Sequence, residues 1–149
     1  MKDAKTFAKE ILTNPELLKK IDYSSYAETK LLEEALAYNP DIYFLMDQKN
    51  ITEGMAIALV KKNPALFADF QANLRTTGVK LAMLEINPSM YELFEKTDVD
   101  MESVKFLYTT YPEMLENLED KKVNAITQKY IKALKKQGIK PAKDEEDEE

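Results

Sequence analysis

The chain has 149 residues, a net charge of −6 and an apolar share of 44%, which gives one domain with a real core and argues against wholesale disorder. It contains neither cysteine nor histidine, which excludes disulfides, thiolate nucleophiles, imidazole bases and the usual zinc and haem ligands. No stretch approaches the roughly 20 apolar residues that span a bilayer, and Met1-Lys2-Asp3-Ala4-Lys5 leads into an amphipathic segment rather than a signal peptide, so a soluble, cytoplasmic protein without a membrane partner is expected.

Prolines punctuate the chain at positions 15, 40, 64, 88 and 112, at intervals of 25, 24, 24 and 24 residues. Asn14, Asn39, Asn63 and Asn87 precede the first four, and Tyr111 the fifth. Proline drives its predecessor out of the helical region and itself suits the first position of a helix. Asparagine is a strong N-cap. Each Asn-Pro step therefore predicts a corner where one helix stops and another starts, in a unit repeated about five times.

In chain order, a long helix is expected at 4–12 and a short one at 15–21. Pairs follow at 28–38 and 40–47, 53–62 and 64–72, 77–86 and 88–95, and 101–110 and 112–119. Twelve residues before each proline stand Asp3, Glu28, Thr52, Thr76 and Asp100, four of them good caps for the long helices. The same register places a cap at Asn124 and a last helix at 125–137, stopped by Gly138.

Apolar residues keep the same register. Four before each proline come Ile11, Leu36, Val60, Leu84 and Tyr108, and eight before come Phe7, Leu32, Ala56, Lys80 and Val104, an apolar stripe broken by Lys80. Three after come Leu18, Tyr43, Phe67, Tyr91 and Leu115, flanked by apolar residues two and six after. One repeat cannot bury such a stripe alone, so neighbours must stack. The expected fold is all-α: a right-handed α-solenoid of about five two-helix repeats with a C-terminal capping helix over 1–138, then a disordered acidic tail over 139–149.

Ala58-Leu59-Val60-Lys61-Lys62-Asn63-Pro64 and Asn14-Pro15-Glu16-Leu17-Leu18 carry a resemblance to the leucine-rich repeat variant family, whose 24-residue unit also pairs two short helical pieces around an Asn-Pro step. The resemblance covers nearly all of 1–138. This chain lacks that family's arginine-containing segment, its second proline and its iron–sulfur cysteine cluster. HEAT-like repeats are a more distant comparison. Neither implies a particular function, because solenoids are generic binding surfaces.

Several residues stand out as candidate contacts. Seven after the prolines come Asp22, Asp47, Gln71, Glu95 and Glu119, a ladder of four carboxylates suited to a basic partner, or simply a solvated loop edge. Tyr23, Tyr38 and Tyr111 lie at corners outside the apolar stripes, where an exposed tyrosine serves an interface. Lys129, Lys132, Lys135 and Lys136 on the last helix suit a phosphate backbone, or serve as the polar cap a solenoid end requires. Gly54 and Gly78 share one repeat position and predict a close approach, by a neighbouring helix or by a ligand.

No Walker loop, G-x-S-x-G elbow or metal-binding histidine pair is present, and no cofactor is implied. The expected function is a non-enzymatic protein–protein interaction or scaffold module, as a monomer or weak homo-oligomer. One alternative is nucleic-acid or nucleoprotein binding by the lysine-rich helix, regulated by the acidic tail. Small size and a bias of twenty lysines to one arginine also leave room for a viral or phage structural accessory or host-inhibitor protein.

Overall fold

At each Asn-Pro step of the computed structural model, which describes residues 3–142, the chain turns the expected corner. Asn14, Asn39, Asn63 and Asn87 take extended conformations, with φ between −139° and −148°. Each closes the helix before it, its N–H donating to the carbonyl four residues back at 2.8–3.0 Å. Asn39 and Asn87 also cap the turn after them, accepting from the N–H of Asp41 and of Ser89 at 3.0 and 3.2 Å. The acidic run 144–149 lies outside the described residues.

Among the described residues six α-helices result: α1 (Ala4–Thr13), α2 (Tyr26–Tyr38), α3 (Glu53–Lys62), α4 (Thr77–Ile86), α5 (Met101–Thr110) and α6 (Lys121–Lys136). The short elements between them are 3₁₀ turns, at Pro15–Lys20, Pro40–Leu45, Pro64–Asp69, Pro88–Leu93 and Pro112–Leu115. A 3₁₀ turn eclipses side chains three apart. Where the turn runs six residues, this brings the apolar residue three after the proline towards the one six after, just past the turn's end, as Phe67 with Phe70 and Tyr91 with Phe94, all four buried. Further 3₁₀ turns at Gln48–Asn50, Ala72–Leu74 and Lys96–Asp98 lead into the next helix. Every described element is helical or irregular, with no strand.

Four caps are those the register predicts. Asp3, Thr52, Thr76 and Asp100 accept from the N–H three residues on, at 2.7, 3.2, 3.3 and 2.7 Å. Two helices start earlier than expected, α2 by two residues and α6 by four. Ser25, not Glu28, caps α2, and Asp120, not Asn124, caps α6. Gly138, at φ 81°, ends α6. Its N–H bonds the Lys135 carbonyl and that of Ile139 bonds Leu134, both at 3.0 Å, a complete Schellman pair.

The chain divides into two compact units, Met1–Val79 and Lys80–Glu149. In the first, α1 packs on α2 and α2 on α3, with the Pro40–Leu45 turn seated against α1 and α3. Ile11, Leu32, Leu36, Met55, Leu59 and Phe67 are fully buried there. In the second, α5 packs on α6 and on the Pro112–Leu115 turn, and Lys96–Asp98 packs on α6. Met83, Leu84, Tyr91, Leu107, Leu115 and Leu134 form its buried set.

The visitor at the two glycines is a carboxylate of the preceding helix. A Cβ on Gly54 would lie 3.1 Å from Glu33 Oε1, and one on Gly78 would lie 3.4 Å from Glu53 Oε2. The second distance is ordinary van der Waals contact, and glycine is a poor helix former. Gly78→Ala should therefore stabilise the protein, by up to about 1 kcal/mol. A lower thermal midpoint for this variant would show that the approach of Glu53 requires the glycine.

Candidate binding cleft

In the second unit the two 3₁₀ turns that open on a proline, Pro88–Leu93 and Pro112–Leu115, pack against each other, and α6 starts just beyond the second. The link between them and α6 bends back through Asn117, whose φ of 57° is the left-handed conformation that asparagine tolerates. Asp120 then caps α6, one carboxylate oxygen accepting from Lys122 N and Val123 N at 2.9 and 3.1 Å. These elements enclose a cleft of about 510 Å³.

Tyr91, Phe94, Met114, Leu118 and Val123 supply its apolar lining. Glu92, Glu113, Glu116, Glu119 and Asp120 supply five carboxylates, with Ser89 and Asn117 completing the wall. No cation is among the lining residues. The floor is held rigid from below: the Tyr91 hydroxyl and Thr127 Oγ1, both buried, lie 2.6 Å apart, and Thr127 in turn donates to the Val123 carbonyl at 2.7 Å. The Tyr91 and Phe94 rings pack with centroids 4.7 Å apart. Burial pushes the Tyr91 phenol up to about 12, the Thr127 bond opposing and the Asp100 charge adding to the effect, so it stays neutral at neutral pH. No family model, no curated protein and no solved structure matches the chain. What the cleft does must therefore be read from its own chemistry.

The residues singled out in the sequence are only partly gathered. Glu119 lies in the cleft. Asp22, Asp47 and Glu95 are exposed and tied to their own loops. Asp22 accepts from the Ser24 hydroxyl at 2.5 Å and from its N–H at 3.0 Å, and the Ser24 bonds hold its carboxyl below the ordinary value. Asp47 accepts from Lys49 N at 3.1 Å, and Glu95 shares a capping box with Asp98. Asp47 also lies close enough to Tyr23 that its charge adds to burial in raising that phenol.

Tyr23 is half-buried, its hydroxyl donating to the Leu18 carbonyl at 3.1 Å. Tyr38 and Tyr111 are exposed, the first with the Lys5 ammonium 6.0 Å from its ring, the second edge-on to Phe106. Tyr26, the first residue of α2, is the most exposed large apolar side chain described, at 79%.

Sequence reasoning also passed over Glu92 and Glu116. Both stand four after their prolines, so they occupy one repeat position and come together when repeats stack. The same column reads Lys19, Phe44 and Ala68 in earlier repeats, which hides the pair from any search for a carboxylate in every unit. Lys129, Lys132, Lys135 and Lys136 are exposed on α6, and no described carboxylate pairs with them. Among the described residues, no helix is long and apolar enough to cross a membrane.

Proposed function

We propose that the chain is a non-enzymatic binding module whose acidic cleft takes a lysine-bearing segment of another protein. The observation that carries this reading is the union of five carboxylates and an apolar floor in one concavity. Lysine matches that surface in shape as well as charge, because its four-carbon stem lies on apolar surface while the ammonium reaches out to acids. Complementary charge of this kind also speeds encounter and rejects acidic competitors. The same reading takes the paired helices as a right-handed α-solenoid, on the recurrence of the proline corners every 24 or 25 residues.

A fluorescent peptide alternating lysine with leucine should bind the full chain, more weakly as salt is raised. Glu116→Lys/Glu119→Lys should weaken it by more than about tenfold, since like charges then face each other. Affinity unchanged by that substitution, or no binding at low salt, overturns the reading.

The exposed lysines of α6 support a second reading, contact with a nucleic-acid phosphate backbone. On that reading a duplex oligonucleotide binds with a steep salt dependence and is lost from Lys129→Glu/Lys132→Glu. Removal of residues 144–149 strengthens the binding. A binding curve indifferent to salt overturns it.

A further inference from the structure

The lysine face of α6 is the feature of the second unit that stability explains least. The helix carries six lysines and not one acid, in a chain with 27 Asp and Glu. At 3.6 residues per turn, Lys121, Lys122, Lys129, Lys132, Lys135 and Lys136 fall on one side. The buried Val123, Thr127 and Leu134 fall on the other. The macrodipole favours Lys135 and Lys136 in the last turn but disfavours Lys121 and Lys122 in the first. Lys129, Lys132 and Lys136 stand three and four apart, where like charges repel. A face that opposes its own helix in this way calls for an acidic counterpart. A lipid surface does not fit, because an interfacial helix must offer its apolar face, and here that face is buried.

We infer that the lysine face of α6 docks into the acidic cleft of a second copy of this chain, so that copies associate head to tail. The inference rests on the reading of the cleft above and names its partner. Val123 lines the cleft wall from the side of α6 opposite the lysines, so a chain cannot fill its cleft with its own lysine face. Lysine stems fit over Tyr91, Phe94 and Leu118, with ammonium groups at the rim formed by Glu92, Glu113 and Glu116. Because the cleft and the lysine face lie on opposite sides of α6, one contact cannot be made reciprocally, so it is heterologous and does not close on itself at two copies. Being carried by exposed charges, it is strongest at low ionic strength.

Sedimentation velocity of the full chain over a concentration series tests this. The average mass should rise with concentration at low salt and return to the monomer at high salt. Lys129→Glu/Lys132→Glu/Lys136→Glu should be monomeric alone, and so should Glu92→Lys/Glu113→Lys/Glu116→Lys. An equimolar mixture of the two should associate again, because each offers the charge the other has lost. A misfolded variant cannot produce that recovery, and circular dichroism of each checks the fold. A chain monomeric throughout at low salt, or a mixture that stays monomeric, overturns the inference. If the monomeric chain still binds the lysine–leucine peptide, self-docking alone has failed. If the cleft variant binds that peptide undiminished, the reading of the cleft has failed with it. Loss of duplex binding from the lysine-face variant of a monomeric chain overturns self-docking in favour of a phosphate partner.

Discussion

Asp100→Ala should cost about 3 kcal/mol of folding stability, measured as a shift in the urea midpoint. Asp100 has two tasks. One oxygen accepts from Ser103 N at 2.7 Å and caps α5; the other lies 3.1 Å from the Lys80 ammonium. The Lys80 side chain is only 8% exposed and that of Asp100 25%. Alanine removes a cap worth about 1 kcal/mol and strands a buried ammonium, which is the larger loss. Lys80→Met/Asp100→Ser should recover most of the stability, since serine still caps and methionine completes the apolar stripe. Exchanging a buried ion pair for apolar packing is often neutral. A cost below about 0.5 kcal/mol for Asp100→Ala, within the range of ordinary surface substitutions, would mean that the pair contributes nothing.

The same group sets a pH dependence. Burial raises the Asp100 carboxyl, but the Ser103 hydrogen bonds and the Lys80 charge outweigh it and leave it below the ordinary value. A carboxyl lowered by folding contributes its full stability above its unfolded pKa, about 3.9. It loses that contribution as pH falls through the folded value. Acid titration of the parent should therefore show a loss beginning below about pH 4, and the double variant should lose less over the same range.

Lys80 also shows how far the sequence could be read. Its column of five names one charge among apolar residues, which flags an exception without naming the partner. The register gives Asp100 its cap, but the pairing with Lys80 needs α4 and α5 in space. Corners, stripes and most caps were legible because each depends on neighbours within four residues. The two misplaced helix starts have local causes as well. The extra residue in the first interval shifts the register, and Ser25, with a short side chain, reaches the Glu28 N–H at 3.3 Å. Asp120 satisfies two N–H groups of α6 at once, which Asn124, already inside the helix, cannot do. The cleft was less legible. Its carboxylates sit at several repeat positions in two adjacent repeats, and a search for constant columns along the whole chain averages them away.

Phe67→Ala should be at least as damaging, at about 3–5 kcal/mol. Phe67 stands three after Pro64, is fully buried, and carries the Arg75 guanidinium 4.7 Å from its ring centroid. That guanidinium donates to the Phe70 and Ala68 carbonyls, both at 3.1 Å, so the ring is the floor of a polar lock on its own turn. Truncation opens a cavity and takes away the surface on which the cation rests. Leu18, at the same register in the first repeat, keeps 6% exposure and has a smaller side chain, so Leu18→Ala should cost about 2 kcal/mol. The comparison tests the stacking itself. Because phenylalanine and leucine differ in size, the step from leucine to alanine is compared at both positions. If neighbouring repeats bury this register, the loss of Phe67→Ala beyond that of Phe67→Leu must exceed the loss of Leu18→Ala, and equal losses would mean that each turn is held within its own repeat.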